Sequence, residues 1–251
     1  MKIRLMSDLH TEFRLPYKTQ PFNEYRGEDV LVLAGDIASG SKNTFDVLKH
    51  FADIFPQVVY VAGNHEYYGT HFETFNNSLM EKCNRLSNVH FLHRDTVEID
   101  GVWFIGSTLW TNFAKDPLSE HAARRMIADF RLIKGFNPQD AVEQYYLDRE
   151  YIKMAYEAFP GKKVIVTHFL PAQECISPRF AHNDSHGLNN YFANRLDNWI
   201  RDLQDTTWLF GHTHDPVDLY IGDTRLVANP HGYWTAQDEG QDFDPFKTIE
   251  V

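Results

Sequence analysis

Hydrophobic positions along this chain follow two periods that alternate. Ile3–Met6 is a short apolar run that predicts a first strand. Val30–Ala34 (V-L-V-L-A) is apolar throughout, as expected of a strand covered on both faces. From Asn43 to Phe55 the spacing becomes helical, with Phe45, Leu48, Phe51, Ala52 and Phe55 on one side and Pro56 as the stop. Val58–Val61 predicts the next strand. His71–Leu86 predicts the next helix, with Phe72, Phe75, Leu79 and Cys83 on its apolar side. This strand–helix–strand–helix order predicts a sheet covered by helices.

The middle of the chain changes character. Asn88–Leu92, Thr96–Ile99 and Val102–Ile105 read as short strands, with Asp100-Gly101 as a hairpin turn. A long helix is predicted from Pro138 to Phe159, capped by Asn137 and stopped by Pro160-Gly161. Lys163–Thr167 returns to a buried strand and Leu188–Leu203 reads as a helix. Short strands continue from Thr207, including a pair around Gly222-Asp223. No repeat, low-complexity tract or Pro/Ser linker interrupts this order. The expectation is one domain over residues 1–251 with two sheets.

Composition narrows the class. A chain of 251 residues with 43% hydrophobic content can build a substantial core. The net charge of -11 disfavours a broad grip on nucleic acid, which rests on clustered Lys and Arg, so nucleic acid is the less favoured partner. Cys83 and Cys175 stand apart with no CxxC pattern, which fits a reducing compartment and predicts two structural thiols. The run M-K-I-R-L-M is too short and too charged for a signal sequence, and no apolar run approaches a membrane span. A cytoplasmic protein without a membrane partner is expected.

The residues just past the strand ends point to chemistry. Asp8 and His10 come after the first strand, Asp36 after the second, Asn64 and His65 after the third, His168 after Lys163–Val166, and His212 and His214 after Trp208–Phe210. Five strands thus deliver metal-competent side chains at the edge where sheet proteins collect their sites. Asp8, His10, Asp36, Asn64, His168, His212 and His214 supply carboxylate, amide and imidazole donors and no thiolate. That set suits Mn²⁺, Fe²⁺ or Zn²⁺. Seven donors exceed what one ion with an open position takes. They suit two ions sharing a carboxylate, and Asp36 has the two oxygens to bridge a pair roughly 3.5–4 Å apart.

The ordered motifs D-L-H (8–10), G-D (35–36), G-N-H-E (63–66), T-H (167–168) and G-H-T-H (211–214) resemble those of the calcineurin-like metallophosphoesterases, in particular compact bacterial and phage-type members. The resemblance implies an α/β fold, a four-layer α/β/β/α sandwich of two mixed sheets with a dinuclear metal site at the strand ends. It implies Asp8, His10 and His214 as ligands of one metal, Asn64, His168 and His212 as ligands of the other, and Asp36 as the bridge. His65 is then the imidazole that contacts substrate phosphate and assists the leaving group, which makes Asn64 and His65 substrate-binding positions. The implied function is hydrolysis of a phosphodiester or phosphomonoester by a metal-activated water, with two divalent ions, Mn²⁺ foremost and Fe²⁺ or Zn²⁺ as the others. The alternative is a metal-dependent nuclease acting on DNA or RNA. A non-catalytic scaffold is less favoured, because every ligand position is filled.

One departure matters. The protein phosphatases of that family carry G-D-x-V-D-R-G, and here the stretch is G-D-I-A-S-G at 35–40. The second aspartate and the arginine are missing, so His65 is expected to lack the carboxylate that orients it in those enzymes, one phosphate-binding arginine is absent, and a protein phosphatase is disfavoured. Glu66 is expected only to orient its turn. Substrate choice is expected from two segments, 108–137 and 170–187. The first holds Trp110, Phe113, His121, Arg124, Arg125 and Arg131, and the second Arg179, His182, Asn183 and His186. The arginines are candidates for phosphate contacts, with an ordinary surface role as the simpler reading. Trp110 and Tyr233 are candidates for stacking on a base, with core or rim packing as the simpler reading. Asn229–Tyr233 is expected to turn near the site.

Overall fold

The computed structural model describes residues 1–13, 15–182, 184, 186–233 and 242–251. Its strands are β1 (Lys2–Met6), β2 (Val30–Ala34), β3 (Val58–Val61), β4 (Val89–Phe91), β5 (Asp95–Ile99), β6 (Val102–Gly106), β7 (Lys163–Val166), β8 (Thr206–Phe210), β9 (Val217–Ile221), β10 (Thr224–Ala228) and β11 (Thr248–Glu250). Its helices are α1 (Ser41–Ala52), α2 (Phe72–Cys83), α3 (Pro117–Met126), α4 (Asp129–Leu132), α5 (Pro138–Ala158), α6 (Pro178–Ala181), α7 (Asn189–Phe192) and α8 (Asp197–Arg201).

The strands form two mixed sheets, ordered β11-β1-β2-β3-β4 and β5-β6-β7-β8-β10-β9. β1 to β4 run parallel and β11 closes that edge antiparallel. In the second sheet β6, β7, β8 and β10 run parallel, with β5 and β9 antiparallel at the edges. The apolar run of β2 shows how two layers arise from one strand. Val30, Val32 and Ala34 join a cluster with Val164, Val166 and Leu209 of the opposite sheet. Leu31 and Leu33, on the other face, join Val47, Leu48 and Phe51 of α1 and Leu79 of α2. On the second sheet Ile165 and Trp208 face outward to Ile152 and Ala155 of α5. The result is the four-layer α/β/β/α sandwich that the resemblance implied.

Most predicted elements are present within a few residues of their expected ends. The β5–β6 hairpin turns at Asp100 and Gly101, both with positive φ (47° and 81°), as a two-residue hairpin loop demands. α5 starts with Asn137 and Asp140 forming a reciprocal capping box. The predicted helix 188–203 is a correction. The chain breaks it into α7 and α8 because Ala193 is extended (φ -124°, ψ 135°) and pairs with Leu170 in an isolated bridge. Asn194, buried in the break, donates its amide to the carbonyls of Leu109, Trp110 and Leu170. Apolar spacing alone could not register an asparagine that satisfies loop carbonyls instead of its own helix.

Candidate metal centre

All seven expected ligands lie on loops at the C-terminal ends of β1, β2, β3, β7 and β8, five of the parallel strands of the two sheets. The backbone there is unusual. Asp8, His10, Asp36, His212 and His214 have φ values of 53°, 44°, 52°, 66° and 52°. Non-glycine residues seldom adopt this left-handed region, and clusters of them mark sites where the surroundings enforce a side-chain direction. Two motif glycines make room for neighbouring donors. A Cβ on Gly35 would overlap the His168 ring, and one on Gly63 would overlap the Asp36 side chain.

The donors converge in three overlapping groups: Asp8, His10 and His214; His10, Asp36 and His65; Asp36, His168 and His212. Within each group the ligand atoms lie no more than 4.8 Å apart. Asn64 joins them, its Oδ1 3.0 Å from His168 Nε2. Asp36 Oδ2 faces imidazoles of His168 at 3.5 Å, His10 at 3.8 Å and His65 at 4.0 Å. Its Oδ1 accepts the backbone N–H of His65 at 2.9 Å. His212 Nε2 is buried and has no hydrogen-bond partner among the described residues. A buried lone pair without a donor, inside an oxygen and nitrogen set without thiolates, fits a divalent cation.

The protonation states agree with that fit. Burial opposes ionisation of Asp36, yet the imidazoles of His168, His65 and His10 outweigh it and hold the carboxyl well below its ordinary value. Asp8 is likewise lowered, burial being outweighed by His214. Burial, aided by the charge of His168, holds His212 well below an ordinary imidazole, so its lone pair is available.

Three acids support these donors. Glu66 is fully buried, and its carboxylate accepts the backbone N–H groups of Asp36 (3.1 Å), Ile37 (2.8 Å) and Gly63 (2.9 Å). It ties the second loop to the third. Asp129 is buried and accepts from Asn64 Nδ2 (3.0 Å), from Tyr68 (2.7 Å) and from Tyr191. Glu12 Oε1 lies 3.1 Å from His65 Nδ1 and 3.3 Å from His10 Nδ1. The loop after β2 brings no carboxylate other than Asp36, and the acid beside the His65 ring comes instead from a 3-10 turn (Thr11–Phe13) after β1. Its only trace in the sequence is a glutamate two residues beyond His10. For Asp129 the sequence carries no comparable signal.

A cavity of about 310 Å³ opens above the donors. Its floor includes Asp36, Asn64, His65, His212 and His214, and its walls come from Ile127–Asp129, Leu170, Ile176–Ser177, Phe180, Asn189, Tyr191 and Phe192. Both expected substrate segments therefore border the site. Their arginines do not. Arg124 is exposed and bonds Gln139, and Arg131 is exposed and bonds the carbonyl of Arg125. Arg179 pairs with Asp215 at 2.7 Å. His121 and His182 are exposed and outside the lining, and Asn183 lies outside the described residues. Trp110 is fully buried against Phe136 and Phe169, a core residue rather than a base platform. Tyr233 lines the cavity, its hydroxyl 3.3 Å from His65 Nε2. It ends a turn held by the Ser7–Pro230 bridge and by Asn229, which donates to the carbonyls of Leu5 and Asp244.

Comparison with known proteins extends this geometry. Residues 1–216 match the family model described as calcineurin-like phosphoesterase. An uncharacterized protein of Acanthamoeba polyphaga mimivirus is 28% identical, the match covering 99% of this chain and 96% of that one. Among solved structures, a phosphopantetheinyl hydrolase from Mycobacterium tuberculosis superposes with a TM-score of 0.74 at 18% identity, covering 99% of this chain and 95% of its own. TT1561 of Thermus thermophilus superposes with a TM-score of 0.62 at 12% identity, covering 91% and 88%. At such identities the two structures speak for the fold.

Proposed function

The chain belongs to the calcineurin-like phosphoesterase family, whose members hydrolyse phosphate esters with metal ions, and from that premise we propose a dinuclear enzyme acting on a phosphodiester or phosphomonoester, with Mn²⁺ as the working metal. The observation that carries this reading is the overlap of the three donor groups. Asp36 belongs to two of them and His10 to two, the pattern of a site with one shared carboxylate. Asp8, His10 and His214 would hold one ion, Asn64, His168 and His212 the second, and Asp36 would offer an oxygen to each. When bound, such ions supply Lewis acidity toward the phosphoryl oxygens and the attacking water.

The remaining steps belong to the chain's own residues. His65 turns Nδ1 to Glu12 and leaves Nε2 toward the cavity. Burial disfavours its charged form, but Asp36 and then Glu12 raise its pKa above the ordinary imidazole value. A protonated His65 can give its Nε2 proton to the departing ester oxygen and remain bonded to Glu12 through Nδ1–H. Burial opposes ionisation of Glu12, yet its bonds to His10 and His65 hold it down at about 2, so it stays an acceptor. Asp129 fixes the amide of Asn64 with its nitrogen toward the acid and its oxygen toward the ligand cluster.

The test is hydrolysis of bis-p-nitrophenyl phosphate against p-nitrophenyl phosphate by protein first stripped with chelator and then reloaded with Mn²⁺. Restored turnover is expected, and a preference between the two esters assigns diesterase or monoesterase activity. Absence of cleavage of either ester, with both metals bound, would count against catalysis.

A further inference from the structure

The walls of the cavity differ in kind from its floor. Ile127, Leu170, Ile176, Phe180, Tyr191 and Phe192 supply apolar and aromatic surface, and no Lys or Arg lines the cavity among the described residues. The apolar side begins at the ligands themselves. The His212 ring lies 4.1 Å from Phe169, 5.2 Å from Phe192 and 5.9 Å from Tyr191, measured between centroids. The polar wall residues Ser177, Asn189 and Thr213 are neutral. Asp129, the acid of the wall, is occupied by Asn64, Tyr68 and Tyr191.

This composition discriminates between substrates. A second phosphate or a carboxylate placed against these walls would lose its hydration, and the guanidinium beside them, Arg179 over the Phe180 ring at 4.4 Å, lies outside the lining and is paired with Asp215. A nucleic-acid strand draws its affinity from neutralised phosphates, which these walls do not provide. An uncharged aliphatic or aromatic group loses nothing there and gains by burial. A cavity of about 310 Å³ is at the lower end of the range for small-molecule sites, sized for one arm rather than a polymer.

We propose that these walls receive one ester arm of the substrate, and that this arm is neutral and mainly apolar: the substrate is a phosphoester of an uncharged, largely hydrocarbon alcohol. The inference rests on the phosphoesterase reading for its phosphate and on the walls for the arm.

Non-hydrolysable phosphonates separate the two. Methylphosphonate, hexylphosphonate and 6-phosphonohexanoate, which adds a terminal carboxylate at similar length, are titrated calorimetrically into the full chain reloaded with Mn²⁺. Hexylphosphonate is expected to bind at least about tenfold tighter than methylphosphonate, as a few buried methylenes require. The terminal carboxylate should cancel that gain, and Phe180→Ala should shrink the hexyl-to-methyl ratio severalfold. Equal affinity of the methyl and hexyl compounds, a preference for the carboxylate, or no binding by any of them would overturn the proposal. Hexyl preference without ester turnover would instead overturn the catalytic reading and leave the apolar arm site standing.

Discussion

The floor and the walls of the site are made by different means. Every floor residue sits within a few positions of a buried parallel strand, and the strands are held by their ladders and by the aliphatic cluster between the sheets. That rigidity lets five non-glycine residues keep a left-handed backbone. The walls are assembled from short pieces. α4, α6 and α7 have four residues each, and they are held by side chains bonded to backbone, such as Asn194 to three carbonyls and Asn189 to the carbonyl of Phe180. On the function proposed above, chemistry that tolerates little displacement falls to the sheets, and selection among substrates falls to the loops.

The largest expected effect strikes the floor. Asp36→Asn removes the shared carboxylate, and ester hydrolysis should fall by at least about a thousandfold, with the second metal lost and the fold retained. Turnover, metal stoichiometry and circular dichroism check this together. A fully active variant would remove Asp36 from its bridging role.

Glu12→Gln tests whether the floor extends to the turn after β1. The expected loss in kcat is about ten- to a hundredfold, largest for esters with poor leaving groups, because His65 loses the carboxylate that orients and charges it. Metal content should stay unchanged. If metal is lost as well, the bond of Glu12 to His10 is the one that matters.

Asp129→Asn probes the seam between the two regions, since Asp129 belongs to the wall and accepts from Asn64, a proposed ligand on the floor. An asparagine can present an N–H to the Asn64 amide nitrogen and favour the flipped amide. Affinity for one of two Mn²⁺ ions should weaken about ten- to a hundredfold in a metal titration. Unaltered affinity would mean that the wall only flanks the floor.

The same contrast explains how much of the site was legible in the sequence. Asp8, His10, Asp36, Asn64, His168, His212 and His214 each come after an apolar run, so strand and donor announce one another along the chain. The wall residues keep no period. Ile127 and Phe180 face the cavity because short turns place them there, and the carbonyl of Phe180 is held by Asn189, a partner that no local pattern announces. Arg124 and Arg131 had the better chemistry for a phosphate, but they lie exposed beside Gln139 and Arg125. Glu12 escaped because its partner His65 is 53 residues away in sequence.

The smallest expected effect concerns the base of the first wall segment. Arg94 donates to Asp148 at 2.7 Å, and Asp148 accepts the backbone N–H of Leu109, where that segment leaves β6. His93 sits beside this anchor with its Nε2 3.0 Å from the Arg94 guanidinium and its ring near Phe72 and Phe91. Burial first, and the Arg94 charge second, hold its imidazole down at about 4, against 6.5 for an ordinary histidine. As pH falls through 6.5 the unfolded chain takes up this proton, while the folded chain refuses it until about 4. The unfolded state therefore binds more protons in that window, and stability drops with falling pH by up to about 1.4 kcal/mol per pH unit. Above the window the residue adds no pH dependence. His93→Gln removes the titration and keeps an acceptor for Arg94, so urea midpoints at about pH 7 and about pH 5 should draw closer together than in the parent protein. Turnover at neutral pH should not change, because His93 belongs neither to the floor nor to the cavity lining. An unchanged gap between the two midpoints would place the acid sensitivity elsewhere, and lost turnover would show that the anchor of the wall reaches the floor after all.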